Sequence, residues 1–226
     1  MKSFVSGIVI VSTLFLAQSC SSPITSQNQS QAPSPNATIA GNKVEEHTGH
    51  GSSTHHSMAI NLGPADADYD LRFIDAMIPH HQGAVLMAKE VQQKSKRPEM
   101  KQLADNIIKA QNKEIEQMKQ WRKNWYPQAG NQPMAYDAKM GHTVAMSPEQ
   151  MQSMMMSQDL GSADETFDRR FIDAMIPHHE GALTMAQDAL KKTKRPEIKK
   201  LAQEIVTSQQ KEIDQMQQWG KAWYKQ

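Results

Sequence analysis

The stretch Phe73-Ile-Asp-Ala-Met-Ile-Pro-His-His recurs letter for letter 98 positions later, beginning at Phe171. Each copy runs on into Gly-Ala and then Met-Ala, and each ends on Met-x-x-Trp-x-x-x-Trp-Tyr, from Met118 and from Met216. A duplication constrains the fold more than any single residue in it, because two like units must bury like faces.

Each unit reads as two helices. Asp66, Asp68 and Asp70 open the first unit, as the helix dipole favours, and the pattern predicts a helix over 66–94. Arg97-Pro98-Glu99 marks a restart, with Pro98 suited to the first helical position, and predicts a second helix running to Trp125. Each is about 40 Å long at 1.5 Å per residue. The second unit predicts the same pair over 164–192 and 196–224. One hairpin alone would leave its apolar stripe in water. The fold class expected is therefore all-α: two antiparallel helix hairpins packed as a ferritin-like four-helix bundle, with a Met-rich connection.

The remaining segments differ in composition. Residues 1–19 read as a signal peptide: Lys2, an apolar run too short for a membrane span, then small residues. Residues 20–63 form a Ser/Gln/Pro/His-rich tail with few large apolar side chains, so disorder is expected there. The tail holds His47, His50, His55, His56 and Met58. Residues 64–126 are the first helical-hairpin repeat and 162–226 the second. The 127–161 connection is Met-rich. Ser147-Pro-Glu-Gln within it reads as a capping box with Pro at the first position, opening a short helix over 148–157.

Cys20 is the only cysteine. Just after the apolar run, it stands where a lipoprotein carries its lipid, and lipidation there is the one route to a membrane. Otherwise it is removed or lies in the tail. The folded part then has no disulfide and no thiolate for a metal. The chain is expected to be exported, to a periplasm or to a lumenal or extracellular space. Its formal net charge of +1 gives no field for nucleic acid.

The chemistry sits on the first helix of each unit. At 100° per residue Met77, His80, His81 and Met87 share an arc of about 120°. Met175, His178, His179 and Met185 repeat it. Imidazole nitrogen and thioether sulfur on one face can converge on an ion. Pro79 and Pro177 precede the His pairs; each removes a backbone donor, and kinks the helix or begins a new helical segment. On the second helices Met118 and Met216 join the candidate ligands. Glu114 and Glu212 fall in the apolar stripe, where a carboxylate needs a metal, a cation or a donor. The connection adds Met134, Met140, His142, Met146, Met151, Met154 and Met155, with Met151, Met154 and Met155 on one face of its helix.

Thioether with imidazole selects Cu(I), and imidazole also takes Cu(II). Zinc more often shows Cys or carboxylate beside His, and Ca²⁺ and Mg²⁺ want oxygen. An oxidising compartment makes free thiols unreliable, and methionine replaces them. Copper is the ion expected, mainly as Cu(I), with Ag(I) as a surrogate.

The paired Phe-Ile-Asp-Ala-Met-Ile-Pro-His-His-(Gln/Glu)-Gly-Ala motifs resemble an exported ferritin-like family catalogued as a domain of unknown function. With two repeats and Met-rich segments, the chain is similar to its periplasmic copper-resistance and metallochaperone members. The resemblance covers 66–126 and 164–224. It implies a helical bundle and copper binding in the periplasm, with ligands at the His pairs and nearby methionines. A copper-sensing or copper-export protein is the partner expected besides copper ions. Gln82 stands where the second unit has Glu180, so the two sites need not be equal.

Two other readings remain open. One is a ferritin-like metal oxidase. Such sites take a Glu-x-x-His from two helices, whereas Met77 and Ile78 occupy the positions three before His80 and His81. The other is an adaptor whose methionines dock a protein. The expectation is a copper binder without enzymatic activity.

Overall fold

A computed structural model describes residues 61–225. The signal peptide, Cys20 and the tail histidines named above lie outside the described residues.

Helix α1 spans Tyr69–Lys94 and α2 Pro98–Trp125. In the connection, strands β1 (Met134–Asp137) and β2 (His142–Ala145) precede helix α3 (Pro148–Met155). Helix α4 spans Phe167–Lys192 and α5 Pro196–Tyr224. Pro98 and Pro196 sit at the first turns of α2 and α5, where a missing N–H is harmless. Pro79 and Pro177 lie inside α1 and α4, and both helices continue through them. The result is a helical bundle of two antiparallel hairpins, in which α1 also packs on α4.

The structural repeat begins earlier than its chemistry suggests. Asn61 and Asp159 each accept the N–H of the glycine two residues on, Gly63 and Gly161. Both glycines have positive φ, 78° and 73°, which a β-carbon would oppose. Arg72 and Arg170 then tie these turns down, donating from Nε to the carbonyls of Leu62 and Leu160 at 2.7 and 2.6 Å. Asp66 is thereby used for Arg72 and for the Asp68 N–H, so α1 starts at Tyr69 rather than at Asp66.

Two short antiparallel strands stand where the sequence predicts only irregular chain leading into a helix. Met134 pairs with Ala145 and Asp137 with His142. Asp137 closes the turn by accepting the N–H groups of Lys139 and Met140, and Gly141 supplies a φ of 73°. The hairpin covers the first repeat: Arg72 donates to Thr143 Oγ1 and lies over the Tyr136 ring. α3 carries the full capping box, with Ser147 and Gln150 each bonding the other's backbone. It stops at Met155, because Met156 turns left-handed.

The apolar core divides in two. One cluster joins Phe73 and Met77 of α1 and Met118 of α2 to Met185 of α4 and Leu201 of α5. The other joins Met87 of α1 and Leu103 of α2 to Phe171 and Met175 of α4 and Met216 of α5. α1 gives its first half to one cluster and its second half to the other, and α4 does the reverse. The motif histidines occupy the stretch between.

Candidate metal centre

All four motif histidines are buried, at 0–1 % exposure. They split into an inner and an outer pair. His80 and His178 meet across the α1–α4 contact, with ring centroids 3.9 Å apart. His81 and His179 turn towards their own hairpins. There each Nε2 donates to a glutamate, Glu114 and Glu212, at 2.7 Å in both repeats.

Bonding at one ring nitrogen settles what the other can do. A neutral imidazole with Nε2–H on a carboxylate keeps its lone pair on Nδ1, and neither Nδ1, of His81 or of His179, has a hydrogen-bond partner. A carboxylate behind an imidazole is the usual support of a metal-ligating histidine. It equally satisfies a buried histidine in an apolar stripe. His178 directs Nε2 to the Met155 carbonyl at 3.2 Å. His80 has no partner at either ring nitrogen and no exposure at all.

Burial dominates the protonation of the inner pair. It pushes His80 well below its ordinary pKa, and repulsion from the neighbouring His178, His81 and His179 rings, whenever these are protonated, acts in the same direction. Burial also lowers His178, to about 3, with His179 and His81 adding to it and the Met155 and His80 carbonyls opposing. Both imidazoles are therefore neutral at ordinary pH, the form that ligates.

The methionines on the helical arc do not all face the histidines. Met77 lies with Met118 and Met185 in one core cluster, and Met87 with Met175 and Met216 in the other. Met77 and Met87 are ten residues apart, about 15 Å along the axis, so they flank the His layer from opposite sides. The first cluster nevertheless brings together thioethers from three helices, and the second, with Met100 of α2, from four.

The connection is spread out. Met134 donates its backbone N–H to Asp75. Met140 is 58 % exposed at the hairpin tip, where the His142 ring meets its carbonyl. Met146 is buried, and Met154 packs on the first core cluster. Met151 lines a 290 Å³ cavity beside Pro79, Gln82 and the Asp75–Arg122 pair. Met155 reaches the His layer by its backbone. Met156, which the spacing does not single out, reaches it with its sulfur. A capping box marks where α3 starts; no residue pattern marks a left-handed methionine at its end. Among the described residues no three His, Cys, Asp or Glu side chains gather as a metal-binding group. An ion at this layer would need sulfur besides nitrogen.

The profile of the family described as a domain of unknown function, DUF305, matches residues 70–220. The chain belongs to the DUF305 family. CopM is similar in its Cu(I)-bound form (39% identity, TM-score 0.53) and its Ag-bound form (39%, 0.54), each match covering 69% of this chain and 97% of that one. In its Cu(II)-bound form CopM is 41% identical, with a TM-score of 0.55 and the same coverage. A DUF305 fragment from Deinococcus radiodurans is 29% identical with a TM-score of 0.53, covering 68% of this chain and 95% of that one. The curated relative matched is the uncharacterized protein L153 of Acanthamoeba polyphaga mimivirus. It is 47% identical over 49 residues, which span 22% of this chain and 32% of that protein. Among the described residues no helix of this DUF305 chain is long and apolar enough to cross a membrane.

Proposed function

We propose that this protein binds copper, taking Cu(I), and less strongly Cu(II), on histidine and methionine side chains for resistance, buffering or transfer. One observation carries the reading: His80 is fully buried with both ring nitrogens unpartnered, against the ring of His178. An imidazole shut off from bulk solvent and without a protein hydrogen bond is costly unless something else uses its lone pair. Soft donors next to it narrow the choice to a coinage ion. The likeness to CopM, solved with Cu(I), Cu(II) and Ag, supports the same choice.

Copper is cargo here. The chain holds the ion and releases it by ligand exchange to an export or sensing protein, in an exported compartment reached through residues 1–19. A ferritin-type oxidase site takes a Glu-x-x-His from two helices, and Met77 and Ile78 stand three before His80 and His81, which favours binding over that reading.

Titration of the purified chain with Cu(I) against a chromogenic chelator tests this. Replacing His80 and His178 together by Gln is expected to remove the tightest equivalent. An unchanged isotherm overturns the reading.

A further inference from the structure

α3 ends directly on the His layer. The Met155 carbonyl oxygen lies 1.7 Å from where a β-carbon on Gly83 would stand. The end of α3 is thus seated in a notch that only glycine leaves in α1. The same carbonyl takes the Nε2 of His178. Met156 follows at φ 45° and ψ 22°, a left-handed conformation that side chains other than Gly, Asn and Asp rarely adopt. That turn swings its thioether inward. The Met156 sulfur and His80 Nε2 both lie within 3.4 Å of the position a β-carbon on Gly181 would take. Strain of this kind, held at a buried and unsatisfied imidazole, points to use.

We infer that the two repeats build one shared copper site, not two, with His80 and His178 as nitrogen donors and Met156 as the sulfur that closes it. α3 is the strap that carries this last ligand, and lifting it admits the ion. The inference rests on the copper reading and deepens it. Its geometry explains why α3 is docked through backbone on Gly83 but only through a flexible thioether on Gly181. The backbone contact sets the strap, and the side chain is left to move. Pairing His80 with His178 also gives the duplication a purpose, since neither repeat supplies the pair alone.

Ag(I) is the probe, read by the imidazole NMR signals of the full-length chain. His80 and His178 are expected to shift together and to finish at one equivalent. His178→Gln should abolish the shift at His80; a normal His80 response in that variant shows independent sites and overturns the inference. Met156→Leu should weaken Ag(I) by at least tenfold in chelator competition, and unchanged affinity removes the sulfur from the site. Gly83→Ala keeps α1 helical yet expels the Met155 carbonyl. In that metal-free variant diethyl pyrocarbonate should modify His80 and His178, which the wild-type chain protects, and Ag(I) should associate at least tenfold faster. Equal reactivity and equal rate sink the strap. If Gly83→Ala does not fold, hydrogen exchange decides: α3 amides gain protection on loading or the strap is wrong. Ag(I) shifts confined to other His or Met residues defeat this inference and leave the copper reading standing; no shift anywhere defeats both.

Discussion

Asp75 and Arg122 form a two-pronged ion pair in the first repeat that the second repeat lacks, where the same positions hold Asp173 and Gly220. The Asp75 side chain is 1 % exposed and Arg122 16 %. Arg122 also donates to the carbonyls of Gly130 and Gln132, and Asp75 accepts the Met134 N–H. The pair thus staples the connection onto α1 and α2. Burial raises the Asp75 pKa, with the Arg122 and Met134 bonds pulling against it. Removing Arg122 strands a buried carboxylate. Arg122→Ala is expected to destabilise the chain by about 3–5 kcal/mol. Asp173 is 50 % exposed beside Arg169, and Asp173→Asn should stay within about 0.5 kcal/mol. Urea denaturation of both variants checks the contrast; equal losses refute the asymmetry.

Arg195 lies 4.2 Å over the Trp125 ring with Asp70 at 3.5 Å, and Arg97 lies 4.2 Å over Trp223 with Asp168 at 3.5 Å. These contacts cross between the hairpins at opposite ends of the bundle, beside the Tyr69–Asp188 hydrogen bond at one of them. Both guanidiniums are about two-fifths exposed, so solvent screens the ion pairs and the stacking dominates. Arg97→Ala and Arg195→Ala should each destabilise by about 1 kcal/mol. The sites share no partner, so the double variant should be additive within about 0.5 kcal/mol. Lysine lacks the planar face and should restore little. A double loss well above the sum would mean the ends are coupled.

Much of the bundle is legible in the residues. Pro98 and Pro196 mark helix starts, the repeated apolar period marks the faces, and the duplication demands two like hairpins. The site is legible only by residue type. A helical wheel shows neighbours on one helix, so it groups His80 with Met77 and Met87. The partner of His80 is His178, brought by antiparallel crossing, and the methionines fall to either side. The β-hairpin escaped because its strands are four residues long and depend on Tyr136 and Thr143 meeting Arg72. Met156 escaped because a backbone sign is a tertiary outcome, set here by the glycine notch under α3.

Glu114 and Glu212 have the same geometry in both repeats, 2.7 Å from a fully buried Nε2. Truncating the acceptor leaves a buried N–H with nothing to bond, which costs about 1–3 kcal/mol. Glu114→Ala and Glu212→Ala should therefore lose that much each, and by similar amounts. Glu114→Gln keeps a carbonyl oxygen in reach and should lose less than its alanine counterpart. Thermal melts of the metal-free chain decide it. A milder effect of Ala than of Gln would show that the carboxylate does not serve the imidazole.

The inner histidines make metal-free stability depend on pH. Their folded pKa values lie below the unfolded value near 6.5, that of His178 at about 3. Below 6.5 the unfolded chain binds protons that the native rings refuse. Stability is therefore complete above that pH and falls as pH drops towards 3. Each ring steepens the fall by up to about 1.4 kcal/mol per pH unit. Between pH 6.5 and 5, above most carboxylate titration, the wild-type melting temperature should decline. His178→Leu should flatten the decline by one proton's worth, and adding His80→Leu should flatten it further. Proton uptake on unfolding, measured by calorimetry in buffers of different ionisation enthalpy, gives the count directly. An uptake at pH 5.5 that these two substitutions leave unchanged would mean that His80 and His178 are not buried as neutral rings.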